Sequence, residues 1–121
     1  MKKHSKLLFV SLVVILLIGT GLAEAKEILS IRVNSAIQPA IAGFVKESIE
    51  KAQKQEAEAL LISIDTPGGL DTSMRDIVKS IMDSSIPVIV YVAPSGARAA
   101  SAGSIILLSS HIAAMAPGTN V

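Results

Sequence analysis

The amino-acid sequence predicts an α/β domain with a parallel sheet at its centre. Short apolar runs typical of buried strands alternate with longer segments whose apolar residues recur every three or four positions, as on one face of a helix. Pro, Gly and Asn residues separate these segments. In an open sheet of this kind, binding and catalytic sites gather in the loops at the carboxyl ends of the strands.

The first part of the pattern is a strand, a helix and a second strand. Residues 27–33 are rich in β-branched side chains and precede the turn former Asn34, so they predict a strand. Pro39 suits a first helical turn, and apolar residues return at helical spacing after it. Residues 59–64 are apolar apart from one serine, which predicts a strand buried on both faces.

The rest of the chain continues the alternation. Apolar residues between Met74 and Ile81 form one stripe of a second helix, and residues 88–92 predict a third buried strand. A third helix is expected over residues 102–110, and a fourth strand over residues 113–115. We expect the outer side of this fourth strand to be an open sheet edge.

The composition excludes several classes of function. Without cysteine the chain can form no disulfide, thiolate zinc site or thiol nucleophile, and two histidines cannot build a multi-histidine metal site. Eleven Lys and Arg residues balance ten Asp and Glu residues, without long runs of one charge. A surface that binds a polyanion is therefore not predicted. We expect no metal, no other cofactor and no nucleic-acid partner.

The amino terminus has the layout of a secretory signal. Three lysines precede the uncharged residues 7–23, and a small-residue pattern ends at Ala25. We expect residues 1–25 to be a signal peptide cleaved after Ala25. An uncleaved anchor is the alternative, although 17 residues fall short of the roughly 20 that span a bilayer. Residues 26–121, with eight basic and nine acidic groups, are then expected to form an exported domain outside the cytoplasm.

Two adjacent glycines stand out in the loop that follows the second strand, residues 65–70. Gly68 and Gly69 allow backbone angles closed to other residues, and their amides can approach a bound atom closely. Backbone N–H groups just ahead of a helix suit a developing negative charge. The alternative is an ordinary Pro-Gly-Gly turn, with Asp65 capping it.

A serine surrounded by small residues marks the loop after the third strand, residues 95–104. Ser101 lies where the third helix is expected to begin, so a helix-capping role is one interpretation. The other is a nucleophile, with the Ala102 amide pointing at the oxyanion formed after attack and Gly69 supplying a second donor. The residues of this loop by themselves leave both interpretations open.

Three motifs in order resemble the NfeD family. They occupy residues 64–69, 91–103 and 113–119, and the resemblance extends from about Ile28 to the last residue. These proteins are membrane-associated serine proteases of the Clp-protease and signal-peptide-peptidase A clan. The resemblance implies the clan's fold, in which ββα units stack around a parallel sheet, as in ClpP and crotonase-like proteins. Residues 26–121 would be the amino-terminal part of such a protease domain.

The resemblance also implies a site and a substrate. Ser101 matches the nucleophile of a serine and lysine dyad, and the backbone amides of Gly68, Gly69 and Ala102 are assigned to the oxyanion hole. Family members are similar to proteases that cut apolar segments of stomatin-like membrane proteins. Membrane association and assembly of the full-length form into a homo-oligomer are expected on the same ground.

The chain departs from the family pattern at the general base. Relatives place a lysine beyond the segment that ends at Thr119, whereas here no lysine follows Lys79. We expect Lys79 to be solvated, His111 to lie at the end of the third helix as a favourable partner of its dipole, and Arg98 to act only electrostatically. We therefore expect the chain to be a fragment, or a shortened gene product, of a longer protease. Its Ser101 lacks a base, so we expect the chain to be inactive alone.

Two other functions compete with a protease. An inactive module could keep the peptide groove and bind membrane partners. A crotonase-like acyl-CoA enzyme would share the oxyanion hole, but export from the cytoplasm and the nucleophile-like serine argue against it.

Overall fold

The structure, a computed structural model, describes residues 26–121 and His4. The predicted signal peptide or anchor over residues 1–25 therefore lies outside the described residues. In the described part of the chain, no helix has the length and apolar character needed to cross a bilayer.

Strands and helices alternate as the sequence predicts. The elements of residues 26–121 are β1 (Ile28–Val33), α1 (Pro39–Lys54), β2 (Ala59–Ile64), α2 (Asp71–Met82), β3 (Val88–Val92), α3 (Ala102–Leu108) and β4 (Ile112–Met115). The four strands of these residues form one parallel sheet in the order β1-β2-β3-β4, so consecutive strands are neighbours. Because parallel crossovers of this kind are right-handed, the three helices of these residues cover the same face of the sheet.

The core is aliphatic and lies between the sheet and the helices. On the central strands, the alternate residues that face the helices, such as Ile62 and Val90, are buried, whereas Leu61 and Ile89 on the other face are half-buried. The prediction of strands buried on both faces is therefore wrong for the second face, because the helices leave it uncovered.

The register brings the carboxyl ends of the strands level. Val33 pairs with Ile64, Ile64 with Val92, and Val92 with Met115. The loops that leave these strands therefore begin side by side at one edge of the sheet. This alignment places the Pro-Gly-Gly loop next to the loop that contains Ser101.

A second, smaller row of β-bridges lies beyond these strand ends. The parallel bridges join Ile37 to Gly69, Thr66 to Ala99 and Arg98 to Asn120. Each of the first three strands is thus followed by a short extended segment that pairs with its successor before a helix begins. This is the ββα unit that the resemblance implies, and the candidate site is built on this second row.

The third helix is shorter than predicted, and His111 does not end it. The helix stops at Leu108, where Ser109 is the carboxyl-terminal cap. The His111 N–H donates to the Val88 carbonyl at 3.0 Å, and its Nδ1 accepts the Val88 N–H at 3.1 Å. His111 therefore lies beside the amino end of β3, whereas Ser101 lies beyond the carboxyl ends of the strands. Its predicted role at the helix dipole is wrong, and its position gives it no access to Ser101.

Candidate active site

The two candidate loops, the glycine loop (residues 65–70) and the serine loop (residues 95–104), are joined by a short ladder of hydrogen bonds. The Thr66 N–H donates to the Arg98 carbonyl at 2.7 Å, and the Ala100 N–H donates to the Thr66 carbonyl at 3.1 Å. The Asp65 carboxylate accepts the Arg98 N–H at 3.1 Å. Asp65 therefore ties the loops together instead of capping the glycine turn, so the predicted cap is wrong.

Ser101 adopts a backbone conformation that is rare for a residue with a side chain. Its φ is 54° and its ψ is −115°, and its side chain makes no hydrogen bond that caps α3. The capping interpretation of Ser101 is therefore wrong. A non-glycine residue with positive φ is strained, and such residues persist mainly at functional sites where the surrounding structure holds them. Ser101 is also exposed, so a substrate can reach its hydroxyl.

The hydroxyl of Ser101 lies against Gly68. A Cβ atom added to Gly68 would stand 2.8 Å from the Ser101 Cβ and 3.3 Å from its Oγ. Gly68 also has a φ of 105°, in the region that favours glycine. A side chain at this position would be strained and would occupy the space next to the hydroxyl.

Of the three amides predicted for the oxyanion hole, Gly68 is already bonded within its own loop. Its N–H donates to the Thr66 Oγ1 at 3.1 Å. Gly69 differs, because the Ile37 N–H donates to the Gly68 carbonyl and the Leu70 N–H donates to the Ile37 carbonyl, each at 2.8 Å. In such a parallel ladder, the N–H of the residue between them points to the other side, away from Ile37.

Ala102 provides a second free amide. It is the first residue of α3, where the N–H groups have no partner within the helix. In the part of the chain that the structure describes, neither the Gly69 N–H nor the Ala102 N–H donates a hydrogen bond. Two unbonded donors therefore belong to the loops that meet at the Ser101 hydroxyl, a combination suited to an oxyanion.

A general base does not accompany this arrangement in residues 26–121. The lysines there are all exposed, and no side chain forms a hydrogen bond with Ser101 Oγ in these residues. Lys79 lies in the last turn of α2, whereas the glycine loop precedes its first turn. The predicted solvation of Lys79 is confirmed. The exposed lysines are Lys26, Lys46, Lys51, Lys54 and Lys79.

The carboxylate that directly follows the glycine loop is held on the outer surface. Asp71 accepts a hydrogen bond from Arg75 Nε at 2.7 Å, and this bond, with the charge of Asp71, raises the pKa of Arg75. Both side chains are exposed, so the pair contributes little to stability. Among residues 26–121, no cluster of three acidic or histidine side chains could hold a metal ion.

Comparison with known proteins identifies the family. Residues 27–121 match the family described as NfeD1b, N-terminal domain. The chain belongs to this NfeD1b family. It is 56% identical over 70 residues to the membrane-bound protease PH1510 of Pyrococcus horikoshii, covering 58% of this chain and 16% of that protein. It is 36% identical over 96 residues to the membrane protein NfeD1b of Bacillus subtilis, covering 79% of this chain and 21% of that protein.

Several solved structures share the fold of this chain. Two are mutants of the 1510-N membrane-bound stomatin-specific protease, one serine-to-alanine and one lysine-to-alanine in complex with a substrate peptide. They are 42% and 45% identical, with TM-scores of 0.76, covering 78% of this chain and 45% and 44% of theirs. A ClpP1 variant from Listeria monocytogenes, 21% identical, covers 74% of this chain and 52% of its own with a TM-score of 0.68. The fold is therefore ClpP-like.

The backbone of Ser101 provides a test of strain at the site. We expect Ser101→Gly to be more stable than Ser101→Ala by about 1 kcal/mol, because glycine tolerates positive φ. The free energies of unfolding would be measured by urea titration. At Ser109, where φ is −86°, the same pair of substitutions should not favour glycine. Equal stabilities of the two Ser101 variants would show that the backbone there is unstrained.

Proposed function

We propose that this chain forms part of a serine endopeptidase in which Ser101 is the nucleophile. The observation that carries the proposal is the exposed, strained Ser101, whose hydroxyl caps no helix and lies where its own loop meets the glycine loop, with free N–H groups at Gly69 and Ala102. Ser101 Oγ attacks a peptide carbonyl, and the carbonyl oxygen becomes an oxyanion. The N–H groups of Gly69 and Ala102 stabilise that charge, each by about 3 to 4 kcal/mol in a typical site of this kind.

The remaining steps follow the chemistry of acyl transfer. A base takes the hydroxyl proton as the carbon–oxygen bond forms, and it returns a proton to the amine when the peptide bond breaks. Water then hydrolyses the ester on Ser101 and releases the acid. Gly68 was predicted as a third donor, but we propose that it contributes the space beside the hydroxyl, because its own N–H bonds to Thr66.

We propose a lysine as the base, supplied from outside residues 26–121 by further sequence or by another chain. A lysine base must be desolvated to be neutral, and the lysines of these residues are exposed. The lysine-to-alanine mutant of 1510-N, captured with a substrate peptide, supports a role for lysine in that relative. By this proposal the 121-residue chain is inactive alone.

The proposed substrate is an apolar segment of a stomatin-like membrane protein. Support comes from the description of 1510-N as a stomatin-specific protease. Both curated relatives are described as membrane proteins, which supports membrane association of this chain, with residues 26–121 outside the cytoplasm. The signal peptide or anchor over residues 1–25 and a homo-oligomeric full-length form belong to the same proposal.

An inactive binding module is the second candidate. The observation that favours it is the absence of a buried lysine among residues 26–121. Such a module would bind a peptide at the two loops without cutting it.

A fluorophosphonate probe that reacts with activated serines separates the two candidates. The comparison uses the 121-residue chain and an extended chain, in which residue 121 is followed by the part of 1510-N beyond the matched region. We expect no labelling of the short chain and labelling of the extended chain that is lost in Ser101→Ala. An unlabelled, folded extended chain would favour the binding module. Labelling of the short chain at Ser101 would disprove the proposal that the base is a lysine from outside residues 26–121.

A further inference from the structure

One fully buried residue, Thr66, links the glycine loop to the serine loop and to α3. Its backbone N–H and carbonyl pair with Arg98 and Ala100 of the serine loop, at 2.7 and 3.1 Å. Its hydroxyl bonds to Gly68 in the glycine loop. A Cβ added to Gly103 of α3 would stand 2.5 Å from the Thr66 Cγ2, so the Thr66 methyl group packs against α3 where Gly103 has no side chain. The steps of the proposed mechanism do not involve Thr66.

The hydroxyl of Thr66 fixes the peptide at which the glycine loop changes direction. Oγ1 accepts the Gly68 N–H at 3.1 Å and donates to the Gly68 carbonyl at 3.3 Å. That carbonyl also accepts the Ile37 N–H at 2.8 Å. Gly68, whose φ is 105°, is thereby held in place. Because its carbonyl points at Ile37, the Gly69 N–H of the same trans peptide points away from Ile37.

Both groups on the Thr66 Cβ have a separate task. The hydroxyl orients Gly68, and the methyl group fills the contact with Gly103 at the start of α3. Valine keeps the shape and the methyl contact but cannot bond to Gly68. Serine keeps the hydroxyl but loses the methyl. The two substitutions therefore separate orientation of the glycine loop from packing against α3.

We propose that Thr66 is a positioning residue. It sets the direction of the Gly69 N–H relative to Ser101, and this N–H is one donor of the oxyanion hole. The inference rests on the proposed function of Ser101 and deepens it. Thr66 touches neither substrate nor reacting atoms. It acts through Gly68, while its backbone holds the serine loop at a fixed distance from the glycine loop.

Amide hydrogen exchange in the 121-residue chain tests the structural half without requiring activity. We expect the Gly68 amide to exchange about tenfold faster in Thr66→Val than in the wild type, because a lost bond of about 1.4 kcal/mol corresponds to that factor. The Ala100 amide, which bonds to the Thr66 backbone carbonyl, should keep its wild-type rate. In Thr66→Ser, the Gly68 rate should stay within about threefold of the wild type.

Fluorophosphonate labelling of the extended chain tests the functional half. Thr66→Val should lower the maximal labelling rate by about 10²-fold and leave the half-saturating probe concentration unchanged, because a misplaced oxyanion donor affects the transition state. Thr66→Ser should retain at least about a third of the wild-type rate. A change confined to the half-saturating concentration would overturn the positioning role.

The outcomes distinguish this inference from the proposed function. If the wild-type extended chain is not labelled, the proposed function fails, and exchange at Gly68 still reports whether the hydroxyl orients the loop. If the wild type is labelled and Thr66→Val is labelled equally fast, the positioning role is overturned. If Thr66→Val does not fold, Thr66→Ser decides: a 10²-fold loss there would assign the effect to the methyl contact and overturn the role of the hydroxyl.

Discussion

Replacing Ser101 with alanine should lower hydrolysis of an apolar peptide by the extended chain by about 10⁴-fold or more, because no other group supplies the attacking oxygen. The amides of Gly69 and Ala102 remain in place, so peptide binding should change little. The measurement is the rate of peptide cleavage at saturating and subsaturating substrate, followed by mass spectrometry. The loss should fall on kcat.

Folding cannot account for the expected loss, because alanine and serine share the same strain at a φ of 54°. The matched control is Ser109→Ala at the other end of α3, where the hydroxyl donates to the Ile105 carbonyl at 2.7 Å. This variant should keep wild-type activity. Cleavage by Ser101→Ala at more than about a tenth of the wild-type rate would rule out Ser101 as the nucleophile.

Gly69→Ala should have the largest effect on stability, a loss of about 3 kcal/mol or more in the free energy of unfolding. A Cβ at this position would stand 2.5 Å from the Ile37 nitrogen and closer still to the Ile37 carbonyl oxygen. Both atoms belong to a backbone that is hydrogen-bonded to Gly68 and Leu70. No side chain can rotate to relieve the clash, so the bridge between the two segments must open. Urea unfolding of the 121-residue chain measures the change.

Gly43→Ala is the matched control for this substitution. Gly43 lies within α1, and a Cβ there would meet nothing within 4 Å. Because alanine favours the helix more than glycine does, this variant should be more stable by about 0.5 to 1 kcal/mol. A Gly69→Ala protein as stable as the wild type would mean that Ile37 and Gly69 are not paired.

The alternation of strands and helices was predictable because it depends on local spacing. The second strand and the third strand occupy the residues that their apolar runs predict, 59–64 and 88–92. The end of α3 was not predictable in the same way. Ser110 donates its hydroxyl to the Leu107 carbonyl at 2.6 Å, and His111 pairs with Val88 across the sheet. The spacing of apolar residues along a helix cannot reveal a hydrogen-bond partner that lies 23 residues away in the chain.

The position of the candidate site was predictable, but the orientation of its hydroxyl and N–H groups was not. Glycines and small residues at the ends of two buried runs indicate loops that meet at one sheet edge. Whether Ser101 caps a helix or presents its hydroxyl depends on its φ and ψ, which neighbouring loops impose. Thr66 escaped the sequence interpretation, although its place between a buried strand and Pro-Gly-Gly was a usable signal. Its contacts with Arg98, Ala100 and Gly103 join parts of the chain that only folding brings together.

The sequence by itself determined the alternation of strands and helices, the aliphatic core and the loops in which chemistry can occur, because these follow from residue type and spacing within each segment. Only the tertiary structure decided which amides are free and which way they point. The Thr66 hydroxyl accepts the Gly68 N–H, whereas pairing with Ile37 directs the Gly69 N–H to the other side, where it has no bond in the described residues. Hydrogen bonds between segments distant in the chain set those directions, and composition carries no record of them.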